Sequence, residues 1–244
     1  MKSIILAAGY ATRLYPLTKN FPKPLLEVGR KPVMNHIIEK LEELPEIKKA
    51  YVVTNSRYFQ HFQDWKQKLK TKLEIEIIDD KTSSEETRLG AIGDMNLVIQ
   101  EKNLKGPLLI IAGDNLFDIS LLPMYDYFKK TDKTTISLID VKDVEKLKKG
   151  GSVLLDKNNR IIHFEEKSQN PDPKAYYASV IYFLTNEAVK KINQYIAEGN
   201  NPDQPGRLIQ WLYTREETRG FLNENRIIDI GTPESLEKAR KEFY

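Results

Sequence analysis

No cysteine occurs among the 244 residues, which excludes disulfides, a thiolate nucleophile and Cys-ligated metals. Histidine is nearly as scarce: His36, His61 and His163 are the three present, and none forms an HxxH or HExxH pair. Metal binding or general-base chemistry centred on imidazole therefore finds no support in the spacing. Neither the GxSxG of serine hydrolases nor the GxGxxG of dinucleotide enzymes is present. Charge of one sign is lacking too. The 38 basic and 35 acidic residues leave a net charge of +3, too balanced for nucleic-acid binding through bulk electrostatics. No apolar run approaches the roughly 20 residues of a membrane span. The N-terminus MKSIILAAG has a single cation and an apolar run cut short at Gly9, unlike a signal peptide. The expectation is a cytoplasmic protein with neither membrane nor nucleic acid as partner.

What the chain does have is enough apolar sequence, 40% of its residues, to bury a substantial core. Apolar runs alternate with helical patterns. Ile4–Leu6, Ala50–Thr54, Leu73–Ile78 and Pro107–Ala112 read as strands. Between them, Val33, Met34, Ile37, Ile38 and Leu41 recur at helical spacing, as do Tyr58, Phe62, Trp65 and Leu69. This β-α-β order predicts a parallel sheet with right-handed crossovers. After residue 134 the texture turns β-rich, with TTISLIDV, SVLLD, RIIHFEE and YYASVIYFL, and KNNR reads as a hairpin turn. Thr185–Ala197 and Gly206–Tyr213 read as helices, Arg226–Ile230 as a last strand, and Pro233 as the start of a closing helix. The basic runs Lys66–Lys72 and Lys146–Lys149 alternate with apolar residues and read as solvated helix faces. No linker or repeat interrupts the chain, so a single α/β domain is expected.

Several segments could carry chemistry. Between Leu6 and Pro32, a strand opens into Ala7, Ala8 and Gly9, a place where backbone N–H groups can cradle an anion. Arg13 and Lys23 follow on a segment kept extended by Pro16, Pro22, Pro24 and Pro32. Fixed cations there suit a polyphosphate, although a plain turn and a solvated basic loop would look the same. Asp114 and Asp229 each follow an apolar strand, at the rim where open α/β sheets bind ligands. They could share Mg²⁺, or each could be a turn aspartate beside Asn115 and Gly231. Glu165, Glu166 and Lys167 end a strand, either as a solvated cluster or as contacts for sugar hydroxyls and a phosphate. The loop ETRLGAIGD offers Gly90 and Gly93 for close approach of a ligand, or for a strained connection.

Taken together, the chain resembles the sugar-1-phosphate nucleotidyltransferase family. The matching blocks, in order, are LAAGYATRLYPLT with FPKPLLEVGRKPV, RLGAIGD, AGDN, and FEEK followed by DIGTPESL, spanning residues 3–236. The resemblance implies a Rossmann-like, mixed and mainly parallel sheet flanked by helices, with a β-rich sugar-binding elaboration in the second half. It implies one domain over residues 1–244, with a nucleotide part at about 1–114, a sugar-phosphate part at about 115–230 and a C-terminal helix at 233–243. Carried over, Leu6, Ala7, Ala8, Gly9, Tyr10 and Gly90 would bind the nucleotide, and Arg13 and Lys23 would be catalytic. Asp114 and Asp229 would hold Mg²⁺, while Glu166 and Lys167 would bind the sugar phosphate. The implied reaction joins a nucleoside triphosphate to a sugar 1-phosphate and releases pyrophosphate, and a homo-oligomer is compatible with it. Within the fold, cytidylyl transfer to phosphocholine or inositol phosphate is the alternative, and a nucleotide-sugar sensor is a third reading. Ala11 stands where many relatives have a second glycine, and Val180 where a GIYF-like motif has one. The loop RLGAIGD is nearer the LGTAGA-like loop of guanylyl- and some uridylyltransferases, which leaves the base open. The C-terminal β-helix of larger relatives, with its acetyltransferase activity, is expected to be absent.

Overall fold

A computed structural model describes residues 1–223 and 227–243, with the Asp229 side chain excepted. The chain runs β1 (Lys2–Leu6), β2 (Glu27–Val28), β3 (Lys31–Pro32), α1 (Val33–Glu42), β4 (Lys49–Thr54), α2 (Phe59–Lys68), β5 (Glu74–Asp79) and α3 (Ala91–Glu101). It continues through β6 (Leu108–Ala112), β7 (Asn115–Phe117), α4 (Leu122–Thr131), β8 (Thr134–Ile139), α5 (Val144–Leu147), β9 (Gly151–Leu155) and β10 (Ile161–Glu166). The last third comprises β11 (Tyr176–Leu184), α6 (Asn186–Ala197), α7 (Pro205–Leu212), β12 (Thr218–Asn223), β13 (Ile227–Asp229) and α8 (Pro233–Glu242). This is an α/β fold with a mixed sheet flanked by helices, as the alternation predicts. Among the described residues no helix is long and apolar enough to cross a membrane.

The chain divides into two compact units, one of Met1–Leu89, Ile111–Leu121 and Arg226–Tyr244, the other of Gly90–Ile110 and Leu122–Asn225. In the first unit β1, β4 and β5 pair in parallel, Ile4 beside Tyr51 and Val52 beside Ile77. Ile4, Ile5 and Val52 are fully buried, which explains their unbroken apolar character. Helix α1 buries Val33, Met34, Ile37, Ile38 and Leu41, the stripe read from the sequence. A second core of this unit joins distant segments. Leu14, Leu26, Val28 and Val33 pack with Leu116, Ile228, Ile230, Leu236 and Ala239, and Ala11 lies against them.

The second unit is built on antiparallel pairs: β10 with β9, β9 with β11, and β11 with β8. β12 adds to β8 in parallel. Val180, where relatives carry glycine, falls in a register shift of β11 between Ser179 and Tyr182. Among the described elements, β7, α4, β12 and the short β2–β3 pair have no counterpart in the sequence pattern. β12 is obscured by Gly220, where a Cβ would stand 2.3 Å from Leu138 Cδ1, so close packing excludes a strand-favouring side chain. Gly93 belongs to the first turn of α3 rather than to the loop before it. By contact, α3 groups with the second unit, and β13 and α8 group with the first.

Candidate active site

In the first unit the strand-to-loop turn is pinned from both sides. Ala7 N–H donates to Val53 O and Gly113 N–H to Leu6 O, both at 2.8 Å. Asn55 Nδ2 donates to Ala8 O at 2.8 Å, and Asn55 Oδ1 accepts from Tyr58 N–H. A Cβ on Gly113 would stand 2.9 Å from Leu6 O, so this approach needs glycine. Gly9 is exposed, with nothing within 4 Å of where its Cβ would be. Leu6 is half-buried; Ala7, Ala8 and Tyr10 are buried. The Tyr10 hydroxyl shares a hydrogen bond with Thr82 Oγ1 at 3.1 Å, and Thr82 is held by Asp80 through N–H and hydroxyl. What Tyr10 can offer a ligand is therefore its backbone.

Beyond Tyr10, Ala11 adopts the left-handed conformation, φ 50° and ψ 42°, a costly setting for a residue with a Cβ. Its carbonyl accepts from Thr18 Oγ1 at 2.7 Å and Leu14 N–H at 3.0 Å. One short helical turn, Thr12–Leu14, follows: Leu14 anchors it in the core and Arg13 is exposed. A second such turn, Lys23–Leu25, buries Pro24 and Leu25 and carries Lys23. Lys23 Nζ forms an ion pair with Asp114 Oδ2, both side chains mostly buried. Asp229 is 115 positions further on, yet its backbone pairs with Asn115 across β13 and β7. Ile230 N–H also donates to Asp114 O at 3.2 Å. The backbones of the two aspartates thus come together where the β7–β13 pair begins, although the Asp229 side chain lies outside the described residues. No group of three or more His, Asp or Glu that could hold a metal exists among the described residues. Of the donors at this place the structure describes the Asp114 carboxylate, an oxygen ligand of the kind Mg²⁺ takes.

In the second unit Glu166 closes β10. Its N–H donates to Gln210 Oε1 of α7 at 2.9 Å, and its carboxylate lies against Gly206. Burial pushes its pKa up to about 6, opposed by the charges of Lys167 and Arg207. Tyr182 is fully buried nearby, and burial pushes its hydroxyl up as well. Lys167 is exposed in the left-handed conformation, φ 54°, with its N–H bonded to Gly150 O at 2.8 Å. Non-glycine strain of this kind concentrates at functional sites. Gly90 has φ 80°, and its Cβ would meet Pro202 O at 2.6 Å. The first two N–H groups of α3, from Ala91 and Ile92, donate to Asp203 O and Pro202 O. Glycine at 90 therefore serves the seating of α3 on this loop. The remaining polar candidates are structural. His36 bonds Val28 O at 2.9 Å, His61 packs edge-on against Phe21 and Tyr58, and His163 is exposed on β10.

Sequence reasoning did not single out Asn55, Thr82, Gly206 or Gln210. Asn55 lies one residue past the strand AYVVT, the same rim position that drew attention to Asp114. The other three carry no local signal, because the partners that matter are 40 to 72 positions away.

A family model described as nucleotidyl transferase matches residues 2–243. The bifunctional protein GlmU of Methanococcus vannielii is 29% identical over 255 residues, covering 100% of this chain and 55% of that protein. The chain thus spans about half the length of the GlmU proteins that it matches. The D-glycero-alpha-D-manno-heptose 1-phosphate guanylyltransferase of Campylobacter jejuni is 27% identical, with 96% of each chain covered. A solved UDP-glucose pyrophosphorylase bound to UDP-glucose superposes with a TM-score of 0.82 at 20% identity, covering 98% of this chain and 97% of that one. With the motifs, the α/β fold and this match over nearly its full length, the chain belongs to the nucleotidyl transferase family, among the sugar-1-phosphate nucleotidyltransferases.

Proposed function

We propose that this protein transfers a nucleotidyl group from a nucleoside triphosphate to a sugar 1-phosphate, releasing pyrophosphate. The observation that carries the reading is the Lys23–Asp114 pair beside an exposed glycine turn, with Asp229 on the adjoining strand. The sugar phosphate is already an anion, so attack on the α-phosphorus needs no general base. The obstacles are repulsion between two polyanions and the entropy of aligning them. Lys23 neutralises charge at the α-phosphate, Arg13 does so on the departing pyrophosphate, and the backbone from Leu6 to Tyr10 faces the nucleotide. Glu166 accepts hydrogen bonds from sugar hydroxyls and Lys167 holds the sugar's phosphate. Asp114 and Asp229 would hold Mg²⁺, which when bound shields the phosphate oxygens. In the free protein Lys23 and Asp114 compensate each other, so neither is left as an unpaired, mostly buried charge.

The test is a matrix of five triphosphates against a panel of sugar 1-phosphates, scored by Mg²⁺-dependent pyrophosphate release. At least one pair turns over. Lys23→Ala and Asp114→Asn each lose about 3 kcal/mol of transition-state stabilisation, a drop of roughly 150-fold in kcat. Turnover of CTP with phosphocholine or inositol phosphate, and with no sugar phosphate, would establish the cytidylyl alternative. Tight nucleotide binding without any turnover would make the protein a sensor.

A further inference from the structure

Helix α7 begins Pro205-Gly206, and glycine inside a helix is about 1 kcal/mol less favourable than alanine. Gly206 is not among the described residues with positive φ, so conformation does not require it. Space does. A Cβ at 206 would stand 1.9 Å from Glu166 Oε2 and 2.7 Å from its Cδ, with the Phe164 ring at 3.4 Å. One turn later on the same helix face, Gln210 Oε1 accepts the Glu166 N–H at 2.9 Å. Helix α7 therefore bonds this one residue at its backbone and lies directly against its carboxylate.

We propose that Gly206 and Gln210 are positioning residues: together they seat the Glu166 carboxylate in the pose that binds the sugar of the substrate. The inference rests on the reading of Glu166 as a sugar contact. Phe164 and Tyr182 are buried beside the seat, and the charged neighbours of the carboxylate are Lys167 and Arg207. A side chain expelled by a new methyl group moves toward solvent, because the buried rings leave it no other space. The flexible glutamate yields, so the fold does not.

The experiment compares the full-length parent with Gly206→Ala, Gln210→Ala and Glu166→Gln. Carbon-13 NMR of labelled glutamate follows the titration of Glu166, whose carboxyl is pushed up to about 6 by burial. In Gly206→Ala that titration falls back toward the ordinary carboxylate range, while Tm stays at or above the parent's. The KM for glucose 1-phosphate or mannose 1-phosphate, whichever turns over faster, rises about tenfold. The kcat and the KM for triphosphate stay within twofold. Gln210→Ala moves the sugar-phosphate KM the same way by about threefold. In a Glu166→Asp background Gly206→Ala changes KM less than twofold, since the shorter side chain no longer reaches the seat. An unmoved Glu166 titration in Gly206→Ala overturns the proposal. A moved titration with KM unchanged in Gly206→Ala and in Glu166→Gln alike overturns the assignment of Glu166 to the sugar instead.

Discussion

Glu166 sets its own cost in stability. Its carboxyl is raised by burial from 4.5 to about 6 in the folded chain, so between these values the folded state binds more protons than the unfolded one. Stability therefore falls as pH rises through that window, and above it the ionised carboxylate costs ~2 kcal/mol. Below pH 4.5 the penalty is gone. Glu166→Gln, which cannot ionise, should raise Tm by roughly 4–8 °C at pH 7.5 and leave it nearly unchanged at pH 4. A variant less stable than the parent at pH 7.5 in thermal melts would refute that sign. A carboxylate retained at such a cost fits a residue kept for its ligand. The motif FEEK identifies this residue, but its burial could not be read there, since the covering comes from α7, some 40 positions on. Lys23 and Asp114 are singled out by local properties, a cation on a proline-held segment and a carboxylate after a strand, but their pairing across 91 positions is not.

Elements were legible where one face is apolar and local. The stripe of α1, the run Thr185–Ala197 that becomes α6 behind Thr185 as its N-cap, and Pro233 opening α8 all form as their residues dictate. Glycines were the weak point, because one letter serves several purposes. Gly90 reads from sequence as room for a ligand or as a strained connection, and its φ of 80° and ψ of 161° lie in a region almost restricted to glycine. The α3 start also leans on the backbone of Pro202 and Asp203. Gly90→Ala combines backbone strain with a clash against a carbonyl that cannot swing away. It should cost at least ~3 kcal/mol, a fall in Tm of roughly 6–12 °C. A melt within 2 °C of the parent's, with nucleotide affinity lost, would instead assign this glycine to the ligand.

For the molecule as a whole, the least legible fact is that the chain's end fastens its beginning. Leu236 and Ala239 of α8 and Ile228 and Ile230 around β13 share a core with Leu14, Leu26 and Val28. Arg240 Nε adds a bond to Glu27 O at 3.3 Å. No periodicity can announce a contact spanning 200 positions or more. The consequence bears on catalysis, since Arg13 precedes Leu14 and Lys23 shares its short helical turn with Leu25, just before Leu26. Leu236 is 1% exposed, and Leu236→Ala should cost about 3 kcal/mol through the cavity it leaves. If α8 is the fastening of this loop, the loss is local before it is global. Hydrogen exchange should then speed up across residues 11–28 while β9, β10 and β11 keep the parent's protection, and kcat should fall at temperatures where the chain is still folded. Acceleration spread evenly over both units, with kcat intact until the melt, would mean that α8 stabilises the chain without holding Arg13 and Lys23 in place.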